Sequence, residues 1–365
     1  MIHEIFKSKK DLLMLIGGPG TGKSYIIKQA VKELKNIKVT APTGQAADNL
    51  SGSTINSTLG IYQFSELMTK HDNGQLTQLL LSLIIEGYRF LLIDEAFMIP
   101  AQVIDILISS LKECNELRED KSKLKLVLVG DPAQIPPVKG RPTYETKYFN
   151  EFEVHKLTVN QRQKEDSNWA DALKLAREGK IIEFANACHD LGLFQPKVDL
   201  TFEGLTIIPT NKDCEAFNKA NTAIHRENPK RLNGIRGHLY LAKGSPIFIK
   251  SNLKEEKVFN GQRATVLNIE EDKTLVRLDD GREVRLPNDP LPAIMGPAST
   301  AHAAQGRTLN SVQVVLQESF KRFPGGLYVA MTRTPRARET RIIGNRKAMI
   351  DCFSIDHKAF QLGLF

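Results

Sequence analysis

The chain has 365 residues, 41% apolar and 25% charged, with 50 Lys and Arg against 42 Asp and Glu for a net charge of +8. That is an ordinary globular composition with room for two or three domains, and its basic surplus is compatible with a polyanionic partner without identifying one. The four cysteines, Cys114, Cys188, Cys214 and Cys352, form no C-x-x-C pair, which argues against a zinc module or a disulfide scaffold. The longest apolar run, LLLSLII at 79–85, is too short to span a bilayer. With no visible address, the expectation is a soluble protein of the cytoplasm of a bacterium or a phage-infected cell.

Four continuous apolar runs, at 12–16, 37–41, 90–94 and 126–130, read as strands buried on both faces of a parallel sheet. Between the first two lies SYIIKQAVKELK, with Ile26, Ile27, Ala30, Val31 and Leu34 at helical spacing. The loop that joins strand to helix is GGPGTGKS, residues 17–24, which matches G-x-x-x-x-G-K-[ST]. Its backbone N–H groups, from Gly18, Pro19, Gly20, Thr21 and Gly22 onward (Pro19 supplying only shape), suit phosphate oxygens at a helix N-terminus. Lys23 is placed for the outer phosphates of ATP, and Ser24 for Mg²⁺. Asp94 and Glu95 close the third run in LLIDEAFMI. Asp94 suits the metal shell, and Glu95 suits the attacking water as positioner or base.

The fourth run continues as VLVGDPAQIPPV, residues 127–138. In an open α/β sheet the carboxyl ends of the strands line the ligand crevice, so Asp131 and Gln134 are expected at the same phosphates. The Gln134 amide could donate to a γ-phosphate oxygen or to the water, and Pro136 and Pro137 stiffen the exit so that a shift there is transmitted. Further on, Trp169, Ala172, Leu173 and Ala176 share one helical face. It reads as core, with base stacking by Trp169 as the alternative. LTIIPTN at 205–211 reads as the opening strand of a second lobe. From 231 to 292 the texture turns to short strands, LYLAK, SPIFIK, ATVLNI, TLVRLD and EVRL, with FNGQ and DDGR turns, which suggests an inserted small β-barrel.

At this point the motifs resemble superfamily 1 helicases. GGPGTGKS is similar to their motif I, VTAPTGQAADNL (39–50) to motif Ia, LLIDEAFMI to motif II and VLVGDPAQIPPV to motif III. LTVNQRQ (157–163), STAHAAQGRTL (299–309) and GLYVAMTRTPRA (326–337) are similar to motifs IV, V and VI. The order is right, and GDPAQIPPV with HAAQG resembles the 5′→3′ branch that includes RecD, conjugative relaxase helicases and the phage Dda helicase.

The resemblance implies an α/β fold of two RecA-like lobes with parallel sheets and an SH3-like barrel inserted in the second. The boundaries expected are 1–195 for the first lobe, 196–230 with 293–365 for the second, and 231–292 for the barrel. It implies catalytic arginines at Arg162 and Arg333, a nucleotide contact at Gly306, and strand contacts at Pro42, Thr43, Thr54, Asn56, Thr300 and His302, on the face opposite the nucleotide. A strand-separating pin is expected within 61–80, where Asn73-Gly74 suggests a hairpin turn, with Phe64, Lys70 and His71 as its candidates.

The activity implied is ATP-dependent DNA unwinding by a monomer on single-stranded DNA and duplex junctions, with a single-strand-binding or replisome protein as a further partner. A nucleic-acid-stimulated ATPase without unwinding, or a viral-type RNA helicase, is the alternative. The chain departs from the pattern in having no glutamine in residues 1–16 to read adenine, Asn56 where histidine is frequent, and Ala303-Ala304 where lysine and serine are frequent.

Overall fold

The structure is a computed structural model that describes residues 2–61, 63–118, 122–225, 229–235, 237–253, 255–259 and 262–364. The apolar runs form strands β1 (Leu12–Gly17), β2 (Ile37–Ala41), β3 (Ser53–Thr54), β4 (Phe90–Ile93), β5 (Lys125–Gly130) and β6 (Glu153–Leu157). All are parallel, in the order β3-β2-β4-β5-β1-β6. Successive side chains of a strand point to opposite faces, and both faces here are covered. Met14, Ile16, Leu91, Ile93, Leu126 and Leu128 pack on one side with helices Gln75–Ile85 and Ala101–Glu116. Leu13, Leu15, Val39, Leu92, Val127 and Val129 pack on the other with Ile27 and Ala30 of helix Lys23–Leu34.

The later strands are β7 (Phe194–Gln195), β8 (Leu205–Ile207), β9 (Lys230–Gly234), β10 (Gly237–Leu241), β11 (Pro246–Ile249), β12 (Arg263–Ile269), β13 (Lys273–Leu278), β14 (Glu283–Pro287), β15 (Ala293–Met295), β16 (Ala298–Ser299), β17 (Val312–Val315) and β18 (Thr340–Ile343). A second parallel sheet has the order β16-β8-β17-β18-β7, so the chain leaves it after β8 and resumes it at β16. The intervening strands form an antiparallel sheet, β14-β13-β12-β11-β15, around Ile247, Ile249, Val266, Val276 and Leu286. LYLAK, expected as a barrel strand, instead lies largely in β10, which pairs with β9 in a separate two-stranded sheet. The fifth strand of the larger sheet is β15, whose partner β11 buries Ile247 and Ile249. The Asp280-Gly281 turn joins β13 to β14 as expected, and the Asn260-Gly261 turn lies outside the described residues.

The chain divides into two compact units, Met1–Ala170 with Ile355–Phe365, and Asp171–Ser354. The first unit thus ends near 170 rather than 195, because β7 joins the second parallel sheet. The last residues return to the first unit. The Tyr144 hydroxyl donates to the Asp356 carboxylate, and the Lys358 ammonium meets Glu145 at 2.6 Å.

Candidate functional site

Strand order decides what can meet. β4, β5 and β1 are adjacent, so three loops leave the carboxyl edge of the first sheet side by side. Asp94-Glu95 follows β4, Asp131–Gln134 follows β5, and the phosphate loop follows β1. β6 flanks β1 on the outer side and leads to Asn160–Gln163. The four catalytic positions expected from the first three of these segments, Lys23, Asp94, Glu95 and Gln134, therefore share one edge of one unit with Arg162.

In the phosphate loop, the buried Lys23 ammonium donates to the carbonyls of Gly17 at 2.7 Å and Gly18 at 2.9 Å. Gly20 takes φ +79°, a region that excludes most side chains. Its carbonyl accepts the N–H of Gln161 at 2.7 Å and of Arg162 at 3.2 Å. A Cβ at Gly20 would stand 2.5 Å from Arg162 Cβ. Asn160, which sequence reasoning missed, shapes that turn: its Oδ1 accepts the N–H of Arg162 at 3.0 Å and of Gln163 at 3.1 Å. An asparagine two and three residues before the amides it binds is the local signal that would have found it.

Asp94 is buried, and its N–H donates to the Thr40 carbonyl at 2.9 Å. Burial, then the neighbouring Glu95 charge, push its carboxyl up to about 7, against the pull of the Lys23 ammonium. Glu95 holds φ +50°, a left-handed conformation that a non-glycine residue adopts at a cost, often at functional sites. Asp131 is buried and its Oδ1 accepts the Ala133 N–H at 3.2 Å. Gln134 is also buried, and its Oε1 has no hydrogen-bond partner among the described residues. A buried polar atom is costly unless paired, so this oxygen suits a hydrogen-bond donor such as a water, while the NH₂ of the same amide is the group that could donate to a phosphate.

The strand contacts of the first unit, expected on the face opposite the nucleotide, lie instead on the same carboxyl edge as the phosphate loop, on the two strands farthest from it, because β2 and β3 run parallel to β1 in one sheet. Pro42 and Thr43 follow β2, and Thr54 ends β3. Thr43 and Thr54 cap short helices, their hydroxyls accepting the N–H of Ala46 at 3.2 Å and Ser57 at 3.1 Å. Asn56 is exposed in the second of those helices. In the second unit Thr300 caps helix Ala301–Ala304, and His302 packs edge-on against Phe323 with ring centroids 5.6 Å apart. Burial holds the His302 imidazole below its usual range, so it is neutral at pH 7.

Arg333, the other expected arginine, is 2% exposed within the second unit. Its Nε donates to the Val329 carbonyl at 2.7 Å, its Nη1 to the Arg307 carbonyl at 3.2 Å and its Nη2 to the Thr332 hydroxyl at 2.6 Å.

The pin expectation needs correction. The described residues of 61–80 form no strand hairpin; they carry helix Phe64–Asp72 and the start of helix Gln75–Ile85, with Gly74 in between at φ +74°. Leu67, Leu76, Leu80, Leu83 and Ile84 recur at helical spacing and pack into the core, which overrides the Asn-Gly turn signal. The Lys70 ammonium is bound to the Leu59 and Gly60 carbonyls, and His71 Nδ1 lies 2.8 Å from Ser110 Oγ. Of the three pin candidates, Phe64 alone is markedly exposed as a hydrophobic side chain. Trp169 is fully buried in helix Ser167–Arg177, which assigns it to packing rather than to base stacking.

A phosphate loop and an acidic strand on one parallel sheet, with a second parallel sheet later in the chain, define a P-loop nucleoside-triphosphatase of two RecA-like lobes. The sequence model of the AAA domain family matches residues 1–196. The ATP-dependent DNA helicase Pif1 of Bdellovibrio bacteriovorus is 29% identical, over 94% of this chain and 89% of its own. The chain belongs to that AAA-domain family and, within it, to the Pif1/RecD-like branch of superfamily 1 helicases. The zebrafish (Danio rerio) DNA helicase PIF1 is 23% identical over 90% of this chain, which spans 57% of that longer relative. The crystal structure of Pif1 from Candida albicans superposes with a TM-score of 0.77 at 20% identity, covering 99% of this chain and 96% of that one. Bacteroides Pif1 bound to single-stranded DNA gives 0.75 at 20% identity, covering 99% and 94%.

Proposed function

We propose that this protein is an ATP-dependent DNA helicase that moves on single-stranded DNA, 5′→3′ by its family resemblance, and separates duplexes. The observation that carries the reading is the strand order β3-β2-β4-β5-β1-β6. The phosphate loop and the turns at Asp94-Glu95 and Asp131–Gln134 leave neighbouring strands, with Pro42, Thr43 and Thr54 next along the same edge, which supports this reading. Chemistry at one end of that edge can then shift the loops at the other through β4 and β5.

In this reading the loop amides and Lys23 bind the β- and γ-phosphates of ATP, for which Lys23 must exchange its two carbonyls for phosphate oxygens. A divalent cation suits the remaining donors. Ser24 offers a hydroxyl and Asp94 a carboxylate whose ionisation is held back by burial and by Glu95, so a local positive charge favours its ionised form. Mg²⁺ there would supply charge neutralisation for the transferred phosphoryl group. Among the described residues no group of three or more His, Cys, Asp or Glu could hold a metal. Glu95 orients water and takes its proton as oxygen bonds to the γ-phosphorus and the bond to ADP breaks. Gln134 donates to the γ-phosphate, and Arg162 and Arg333 offset the negative charge of the transition state.

On the DNA side, each capping threonine spends an acceptor lone pair on its helix, and the hydroxyl proton remains for a backbone phosphate. Contacts of that type carry no sequence choice, as a translocating enzyme requires. Among the described residues no helix is long and apolar enough to cross a membrane.

The test is strand displacement with ATP and Mg²⁺ on 5′-tailed and 3′-tailed DNA duplexes and matched RNA duplexes. Unwinding of the 5′-tailed DNA is expected. Stimulated ATP hydrolysis without displacement marks a remodelling ATPase instead, and unwinding of RNA alone marks an RNA helicase.

A further inference from the structure

Within the second unit, one arginine links the parallel sheet to the antiparallel one. Arg307 follows Gly306, which takes φ +76° in the turn after helix Ala301–Ala304. The turn is closed by the Arg307 N–H, which donates to the Ala304 carbonyl at 3.3 Å. The side chain is buried and crosses to the antiparallel sheet, where its guanidinium carbon stands 5.1 Å from the centroid of the Phe248 ring on β11. Asp279, just after β13, attracts it, and Arg263, at the start of β12, repels it. Burial draws its pKa down to about 10, which leaves it protonated at neutral pH. A cation out of water over an aromatic face is a strong anchor.

The carbonyl of this same residue accepts Nη1 of Arg333. Arg307 is therefore fastened to Phe248 by its side chain and to Arg333 by its main chain. We propose that Arg307 is a positioning residue for Arg333: by anchoring the 305–307 turn to the antiparallel sheet, it fixes the carbonyl that keeps the Arg333 guanidinium on its own lobe. Loosening the anchor weakens that hold and releases the arginine for hydrolysis when no nucleic acid is bound. The antiparallel sheet thereby sets how far hydrolysis depends on nucleic acid. The proposal rests on the reading of Arg333 as a γ-phosphate arginine.

The experiment is steady-state ATP hydrolysis by the full chain, with and without a saturating thymidine oligonucleotide. Arg307→Met is expected to raise the unstimulated kcat by about threefold to tenfold while the stimulated kcat stays within about twofold, so the stimulation ratio falls. Arg307→Lys, which keeps a cation that can reach the ring, holds the ratio near that of the unaltered protein. Phe248→Leu, which keeps the apolar packing and removes the π face, shifts the ratio the same way as Arg307→Met by a smaller factor. Damage to the fold lowers both rates together and leaves the ratio unchanged; that result in Arg307→Met overturns the proposal. Arg333→Ala separates it from the reading beneath it. Full activity in Arg333→Ala removes Arg333 from the site, whereas an inactive Arg333→Ala beside an unchanged ratio in Arg307→Met sinks only the positioning role.

Discussion

The carbonyl of Gly20, at the tip of the phosphate loop, accepts the N–H of Gln161 at 2.7 Å, from a segment some 140 positions later in the chain. That bond fastens the loop proposed to bind phosphates to the turn that carries Arg162. The phosphate loop and the turn that carries Arg162 are thus tied directly to each other within the first unit.

Gly20→Ala is expected to break this fastening. The residue would have to hold φ +79°, and its Cβ would meet Arg162 Cβ at 2.5 Å. Strain of this kind costs about 1–3 kcal/mol. The measurement is a denaturant titration with a parallel assay of fluorescent-nucleotide binding. A loss in both is expected, and a variant with unaltered binding shows that the fastening has no part in nucleotide capture.

Lys23→Ala removes the phosphate-loop cation proposed for the β- and γ-phosphates. Turnover should fall by about a thousandfold or more. Removal of the two hydrogen bonds from Lys23 to Gly17 and Gly18 costs the fold little by comparison. Phosphate release from purified Lys23→Ala checks this, and turnover above a tenth of the normal rate contradicts the role.

Asp94 gives a pH dependence with a definite sign. Its folded-state carboxyl titrates at about 7 against 3.8 for the free group. The folded state therefore binds a proton that the unfolded state has lost, so stability falls as pH rises from about 4 to about 7 and then levels. Asp94→Asn, in nucleotide- and metal-free protein, should lose that component and be the more stable of the two at pH 8, while losing turnover. Melting temperatures at pH 5 and pH 8 decide it; parallel pH profiles for the two proteins rule out a titrating Asp94.

Trp169→Ala empties a fully buried site and should cost about 3–5 kcal/mol. Trp169→Phe, which keeps most of the volume, should leave affinity for single-stranded DNA within about twofold, because the ring is packed inside and offers no face to a base. A large loss of affinity in a stable Trp169→Phe returns the residue to the DNA site.

What the sequence reveals follows from how local each signal is. The phosphate loop is legible because its chemistry sits in eight consecutive residues, and β1, β2, β4 and β5 are legible because a strand buried on both faces has no polar alternation to blur it. The helices at 64–85 were obscured by Asn73-Gly74, a dipeptide that closes hairpins but that here separates two helices. β15 escaped notice because three residues, Ala293–Met295, show no period. The holding of Arg333 by the Arg307 carbonyl, and of Gly20 by Gln161 and Arg162, depends on main-chain atoms that every residue possesses, so no residue type announces it.

Gln134 tests whether β5 transmits the state of the nucleotide. Its N–H donates to the Asp131 carbonyl at 3.1 Å, and its side chain is buried with Oε1 unpaired among the described residues. Pro136 and Pro137 then restrict the backbone beyond it, which is why a shift at the amide is proposed to pass along the chain. Gln134→Ala keeps the phosphate loop, Asp94 and Glu95 in place, so hydrolysis should persist within about threefold to tenfold of normal. What it removes is the amide proposed to distinguish ATP from ADP, and duplex separation should fall much further than hydrolysis does. The quantity to measure is ATP consumed per base pair unwound, from parallel phosphate-release and strand-displacement assays. A marked rise places Gln134 in the transmission of each hydrolysis event to the DNA, and an unchanged value assigns it to binding alone.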